Sequence, residues 1–236
     1  MKILALDIGG THVKMMLSGQ EELRRFESGQ TRTAAQVVEG VLRATRDWQY
    51  DVISIGCPAP IVNGKPVSNP PNLGPGWVGF DFAREFDKPV KIVNDAAMQA
   101  LGSYEGGCML FLGLGTGLGS ALIRDGMLAP LELGHLPYRK RRTFEEYVGA
   151  AGLDRLGKTK WRKVVADVVS RLREATNADY VILGGGNVKK IDVLPPYTRR
   201  GDNRNAFAGA FRLWQALGSN VAPANRQVGK PSEKTS

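Results

Sequence analysis

Lys2-Ile3-Leu4-Ala5-Leu6-Asp7-Ile8-Gly9-Gly10-Thr11 opens the chain with an apolar run that ends on an acidic residue and two glycines. Val13–Leu17 resumes the apolar pattern, so Lys2–Leu17 reads as a β-hairpin with a glycine-rich turn. An aspartate is an odd choice for the end of a plain structural strand. Glycines let a backbone come close to a ligand, and successive exposed N–H groups in such a turn form an anion nest. Thr11 adds a hydroxyl and Lys14 a nearby cation. The same device recurs in the middle of the chain. Met109–Leu112 and Ser120–Ile123 flank Gly113-Leu-Gly-Thr-Gly-Leu-Gly119, whose alternating glycines do not fit the dinucleotide-binding fingerprint. Two hairpins with phosphate-sized turns suggest a weak internal duplication.

Between and after the hairpins the pattern alternates. Thr33–Trp48 has helical spacing, Val52–Gly56 is a short buried strand, and Pro58–Gly76 is mostly loop. Phe80–Phe86 is a short helix. Val90–Val93 is a strand, and Asn94–Asp95 caps a helix over Ala96–Tyr104. Phe144–Leu156 reads as helix broken by Gly149 and Gly152, and Lys160–Ala175 as an amphipathic helix. Tyr180–Leu183 is a strand running into Gly184–Gly185–Gly186, with a helix expected after Asn187. Asn205–Leu217 is a last helix, and from Gly218 the composition is that of a loose tail. Strand–helix alternation of this kind predicts an α/β fold.

The chain has 236 residues, 32 Lys plus Arg against 23 Asp plus Glu, and a net charge of +9. The excess is lopsided. Residues 1–136 carry 12 basic and 14 acidic residues, whereas 137–236 carry 20 and 9. That asymmetry fits a polyanionic partner for the second half, and equally a solvated basic face. Cys57 and Cys108 are too few for a disulfide framework and lie in apolar runs, as buried thiols of a reducing cytoplasm do. The uncharged stretch Cys108–Ile123 is 16 residues, shorter than a membrane span and interrupted by glycine. No signal peptide is visible.

Gly152–Thr159 matches the phosphate-loop spacing with Lys158 in place, but no buried strand precedes it and Leu153–Leu156 reads as helix. Glu132 and His135 fall together in Glu-Leu-Gly-His. No third ligand completes a metal site there, so hydrogen bonding to a polyhydroxylated molecule is the better reading. Asp95, at the carboxyl end of a strand, stands where α/β folds place their sites, and simple capping is its structural alternative.

In this order, Asp7–Thr11, Asn94–Asp95, Gly113–Gly119, Glu132–His135 and Gly184–Gly186 resemble the ROK sugar kinases, over nearly the whole chain to about Leu217. The resemblance implies the actin-like ATPase (ribonuclease-H-like) fold, two α/β lobes around an interlobe cleft. It places residues 1–94 in a small lobe completed by helix 205–217, residues 95–204 in a larger one, and 218–236 in the tail. Where the family carries a Cys-rich zinc loop after Glu-x-Gly-His, this chain has Leu136–Arg142 without cysteine, so no structural zinc is expected. That departure, and the stretches Tyr147–Trp161, Val181–Lys190 and Gly201–Trp214, are similar to the polyphosphate glucokinase branch.

Carried over residue by residue, the resemblance makes Asp95 the base that takes the proton from a sugar 6-hydroxyl. Asn72, Asn94, Glu132, His135 and Glu145 become sugar ligands, with Glu146 as a rival to Glu145. Asp7 would orient Mg²⁺ through water. Gly9, Gly10 and Thr11, with Lys14 beside them, and Gly115, Thr116 and Gly117 would form the two phosphate loops. Gly185 and Gly186 would lie near a nucleoside. Ala59 stands where the family has glycine, so either a φ > 0 backbone would be strained or the sugar site narrowed. Arg139, Lys140, Arg141 and Arg142, with Lys160, offer a track for polyphosphate.

The function implied is a cytoplasmic glucokinase, a glycolytic phosphotransferase using polyphosphate, ATP or both, and a homodimer by family habit. An ATP-only kinase for another hexose or amino sugar is one alternative, and a non-catalytic sugar sensor another. With the first turn at residue 7, no DNA-reading domain is expected before it.

Overall fold

The computed structural model describes residues 1–202 and 204–214. The expected loose tail and the end of the expected last helix, residues 215–217, lie outside them. Strands β1 (Ile3–Ile8), β2 (His12–Leu17) and β3 (Leu23–Glu27) lead to helix α1 (Ala34–Ala44) and strand β4 (Val52–Cys57). The loop that follows holds a small ribbon, β5 (Ile61–Val62) and β6 (Lys65–Pro66), turned by Asn63 and Gly64, both at positive φ as a two-residue hairpin requires. Next come α2 (Phe82–Phe86), β7 (Val90–Asn94), α3 (Asp95–Ser103), β8 (Cys108–Leu114), β9 (Leu118–Arg124) and β10 (Met127–Leu131). A 3₁₀ turn over Leu133–His135 precedes α4 (Phe144–Val148), α5 (Ala150–Thr176), β11 (Tyr180–Gly184), β12 (Thr198–Arg200) and α6 (Asn205–Arg212).

The strands form two five-stranded sheets of one design, in the orders β3-β2-β1-β4-β7 and β10-β9-β8-β11-β12. In each, a glycine-turned hairpin pairs antiparallel, and its first strand continues into two parallel strands. The duplication suggested by the two turns is therefore a duplication of sheet topology. The strands that the apolar pattern missed, β3, β10 and β12, all lie at or toward sheet edges. In β3 and β10 no residue is buried, which leaves little apolar signal to read.

Local chemistry explains the helices. Thr33 caps α1 in a capping box with Gln36, and Ala34, Val37, Val38 and Val41 turn its apolar side to the first core. The expected break at Gly152 does not occur. Gly152 is helical, and its missing side chain lets the Tyr147 carbonyl come where a Cβ would stand, 2.1 Å away. The break expected at Gly149 is present, that residue being extended, and a further one falls at Gly157, whose φ of +70° kinks α5. Residues 152–159 thus lie in helix rather than in a phosphate loop. After β11 the chain makes only a 3₁₀ turn over Val188–Lys190, not the helix expected after Asn187.

Helix α3 lies against both sheets, and α6 holds it there. A Cβ on Gly102 would stand 1.8 Å from the Asn205 carbonyl oxygen, and one on Gly209 would stand 1.8 Å from that of Met98. The two helices therefore meet backbone to backbone. α6 also packs on the first sheet, where Ser54 Oγ donates to the Ala210 carbonyl and Lys91 Nζ to that of Leu213. Replacing a helical glycine by alanine ordinarily gains about 1 kcal/mol of helix propensity. Here the buried clash outweighs it. Gly102→Ala should lower unfolding stability by about 3 kcal/mol, measured as an earlier urea midpoint, and an unchanged or later midpoint would show that the seam can spread at little cost.

Candidate functional site

The carboxyl ends of β1, β4 and β7 and the turn of the β8–β9 hairpin face one cleft of about 490 Å³. Of the residues singled out in the sequence, Gly9, Gly10, Asn72, Asn94, Asp95, Gly115, Thr116, Gly117, Glu132, His135, Glu145 and Gly185 line it. Thr11 is exposed and is not part of the lining, nor are Asp7 and Lys14. Gly186 lines a neighbouring cavity of about 420 Å³ with Gly185, Val188, Lys189, Arg200, Gly201 and Asp202. Arg139, Lys140, Arg141, Arg142 and Lys160 are exposed and line neither.

The two glycine turns are fixed by different means. Gly9 N–H donates to the His12 carbonyl, and Ser28 Oγ donates to the Gly9 carbonyl at 2.6 Å. Gly10 lies so close to Asn72 that a Cβ would come within 2.8 Å of the asparagine Cβ. In the second turn Asn187 Nδ2 donates to the Gly115 carbonyl at 3.0 Å, and the N–H of Ala150, at the start of α5, reaches the carbonyls of Gly115 and Thr116. Gly117 leaves room for Glu145, whose Oε2 would be 2.5 Å from a Cβ there. Glu145 therefore faces the cleft. Its rival Glu146 is spent locally, accepting from the Thr143 backbone in a capping box.

Asn94 both caps and lines. Its Oδ1 accepts from Ala96 N–H at 2.9 Å, and its Nδ2 points to the Ala59 carbonyl at 3.4 Å. Asp95 Oδ1 accepts from the same Ala96 N–H at 2.8 Å. Glu132 and His135 stand 3.5 Å apart across the 3₁₀ turn, which the buried Ser120 hydroxyl ties down by donating to the Leu131 carbonyl and accepting from Leu133 N–H. Ala59 is buried, lines the cleft and does not have a positive φ, so its methyl brings no backbone strain and only takes space from the cleft.

The loop Leu136–Arg142 is held by side chains. Tyr138 packs against Phe144 and Tyr147, and its hydroxyl donates to Asp167 of α5, which also pairs with Arg139 and Arg171. Sequence reading passed over Gln99, Ser68, Phe111 and the prolines Pro70 and Pro71, all in the lining. Only Gln99 carried a signal, lying four residues after Asp95 and so on the same helix face.

Four carboxylates crowd the region with few cations to offset them. Burial raises Asp95 to about 6, with Asp7 and Glu132 adding to the rise against hydrogen bonds from backbone N–H groups. Burial also raises Asp7, opposed by Lys14 3.5 Å away, and raises Glu132, opposed by His135. Cys57, opposite Asn94 in the β4–β7 register, is pushed up to about 12 by burial and by Asp95, so its thiol stays protonated. A carboxyl whose pKa is higher folded than unfolded costs stability once pH passes the unfolded value, and the full cost is present above the folded value. Asp95→Asn should therefore be more stable than the parent by on the order of 2 kcal/mol above pH 6. The gap should close as pH falls toward 4, as thermal melts across pH would show.

Comparison with known proteins follows this geometry. The model of the ROK family matches residues 3–146. The polyphosphate glucokinase of Mycobacterium tuberculosis (strain CDC 1551 / Oshkosh) is 30% identical over 180 residues, which is 70% of this chain and 65% of that protein's length. The chain thus spans somewhat less than two thirds of that curated relative. Among solved structures, the inorganic polyphosphate/ATP-glucomannokinase from Arthrobacter sp. strain KM superposes with a TM-score of 0.74 at 25% identity, covering 89% of this chain and 96% of that one. A ROK family glucokinase from Streptomyces griseus, in complex with glucose and AMPPNP, superposes with a TM-score of 0.68 at 16% identity, covering 90% and 99%. The two matched sheets and the cleft between them are the actin-like ATPase fold of these neighbours, and among the described residues no helix is long and apolar enough to cross a membrane. With the family model matched over residues 3–146, more than half of its length, the chain belongs to the ROK family.

Proposed function

We propose that the chain is a sugar kinase that moves a phosphoryl group from polyphosphate, ATP or both to the 6-hydroxyl of glucose. The observation that carries this reading is the division of one cleft. Asp95, Asn94, Asn72, Glu132, His135 and Glu145 supply acceptors and donors matched to a ring of hydroxyls, while Gly9–Gly10, Gly115–Gly117 and Gly185 present close backbone. The polyphosphate glucokinase and glucomannokinase relatives support the choice of sugar and donor. We further propose that residues 1–94 with α6 and residues 95–204 act as two lobes closing on the substrates.

Phosphoryl transfer asks mainly for positioning and charge stabilisation. Glu132, His135 and the asparagines hold the hexose with its 6-hydroxyl at Asp95. Asp95, ionised above about pH 6, accepts that hydroxyl's proton as the oxygen bonds to phosphorus and the donor's bridging P–O bond breaks. The proton then leaves Asp95 for solvent. The prolines around Ala59 and Asn72 wall the sugar side and limit the water that could compete for the phosphoryl group.

The donor set fits magnesium. Asp7 offers one hard carboxylate oxygen beside the first turn, and an ion that keeps its own waters needs little more from protein. Bound there with the donor, it would neutralise charge on the phosphate oxygens. Lys140, Arg141 and Arg142 are proposed as an outer attraction for polyphosphate. Arg139 is committed to Asp167. A second reading makes ATP the only donor, favoured by the cavity beside Gly185 and Gly186, which is roomy enough for a nucleoside.

Crossing several hexoses with ATP and polyphosphate at two salt concentrations tests these readings together. Glucose phosphorylation with polyphosphate, weakening as salt rises, is the expected result, and activity with ATP alone at low salt selects the second reading. Asp95→Asn should lose about 10²–10⁴-fold in turnover while still binding glucose, and near-normal turnover would remove Asp95 from the mechanism. In the parent, kcat/KM should fall tenfold per pH unit below about pH 6, as the base protonates.

A further inference from the structure

Apart from the magnesium proposed at Asp7, the lining at the proposed donor end of the cleft offers a polyanion no lysine or arginine. Among the described residues that line the cleft there is no lysine or arginine, and its one basic side chain, His135, is beside Glu132, 3.5 Å away. Several carboxylates face or border the same space. Beside that ion, the contacts this lining can give a phosphate chain are neutral donors, and the hairpin turns supply backbone N–H groups.

Side-chain donors are scarcer. Asn94 Nδ2 points to the Ala59 carbonyl, Asn72 packs against the first turn, and Thr116 offers one hydroxyl in the second. Gln99 stands one helical turn past Asp95, against Gly184 at the end of β11, with its Oε1 3.3 Å from where a Gly184 Cβ would be. It lines the cleft beside Phe111, Gly113 and Gly185. Among the described residues its backbone carbonyl is used, by Ser103, while its amide has no protein partner. An amide that is half-buried beside two glycine turns and unpaired is poised for a ligand.

Resting on the kinase reading, we infer that Gln99 donates from its amide to a non-bridging phosphate oxygen of the phosphoryl donor and so determines donor affinity. Being neutral, it adds a donor without pairing with Asp95 in the empty cleft, as a lysine on this helix face would.

The test uses the full chain, with inorganic tripolyphosphate as the binding probe in calorimetry and separate KM values for donor and glucose. Gln99→Met keeps volume and helix propensity but removes the amide. It should weaken tripolyphosphate binding and raise donor KM about tenfold, the worth of one hydrogen bond to a charged group, with glucose KM unmoved. Gln99→Glu, nearly isosteric, should weaken donor binding further by placing a charge beside the phosphates. Tripolyphosphate binding equal to the parent's in Gln99→Met overturns the inference, as does a parallel rise of donor and glucose KM, which would mark a packing role. A parent that phosphorylates no hexose, yet binds tripolyphosphate through Gln99, refutes the kinase reading and supports the phosphate contact.

Discussion

Helix α3 can lie where it does only because glycines clear its path. Three elements present a glycine to it or come against one of its own. Gly56 of β4 gives room to Met98, whose Cε would be 2.4 Å from a Cβ there, and Gly119 of β9 gives room to Ala96. Gly102 and Gly209 let α3 and α6 touch backbone to backbone. Each contact is closer than any side chain would permit, so the helix is fixed in height and rotation without a polar anchor in its middle. Its first residue is Asp95 and its second turn carries Gln99. The chemistry of the cleft is thus placed by steric absence elsewhere, and a single methyl far from the cleft can displace it.

The same placement sets the electrostatics. α3 brings Asp95 to where β1 carries Asp7, one residue before its end, and where the turn after β10 supplies Glu132. Burial raises all three, Asp7 and Glu132 raise Asp95 further and Glu145 raises Glu132, yet each keeps some relief: Lys14 for Asp7, His135 for Glu132, backbone N–H for Asp95. The result is a carboxyl whose affinity for protons lies near neutrality, as the proposed base requires, beside neighbours able to accept hydrogen bonds from hydroxyls. An acidic cleft suits a sugar and repels a phosphate chain. The glycine turns answer that conflict, since backbone N–H groups attract phosphate without neutralising the carboxylates beside them.

Much of this was legible in the chain. Alternation of buried strands with glycine turns marked both hairpins, and Asn94–Asp95 after a buried strand marked the head of α3. The edge strands were not legible, because a strand such as Leu23–Glu27 buries no residue and its sequence shows no face. Nor could spacing decide between Glu145 and Glu146. One faces the cleft and the other closes a capping box, and the difference lies in the phase of α4 set by Thr143. Gln99 had no motif at all. Its position four residues after Asp95 gives it a shared face, but what lies across from that face is the end of β11, from the far part of the chain. Periodicity tells which side of a helix is covered and says nothing of which cavity the cover leaves open.

The lopsided charge can now be divided by what each cation touches. Arg139 and Arg171 hold Asp167, Arg162 pairs with Asp192, and Arg199 with Glu105, so part of the basic excess is structural. Lys140, Arg141 and Lys160 are exposed and form no ion pair among the described residues, and they stand outside the cleft lining. Charges of that kind act over about a Debye length, ~10 Å at 0.1 M salt, and fade as salt rises. They are suited to drawing a polyanion toward the cleft, not to fixing a phosphate within it. Fixing falls to contacts that salt screens weakly, the N–H groups of the turns and a neutral amide. On this division, raising the salt slows capture of a long donor more than it weakens the grip on the phosphates already inside, and a donor too short to leave the cleft loses less than a long one.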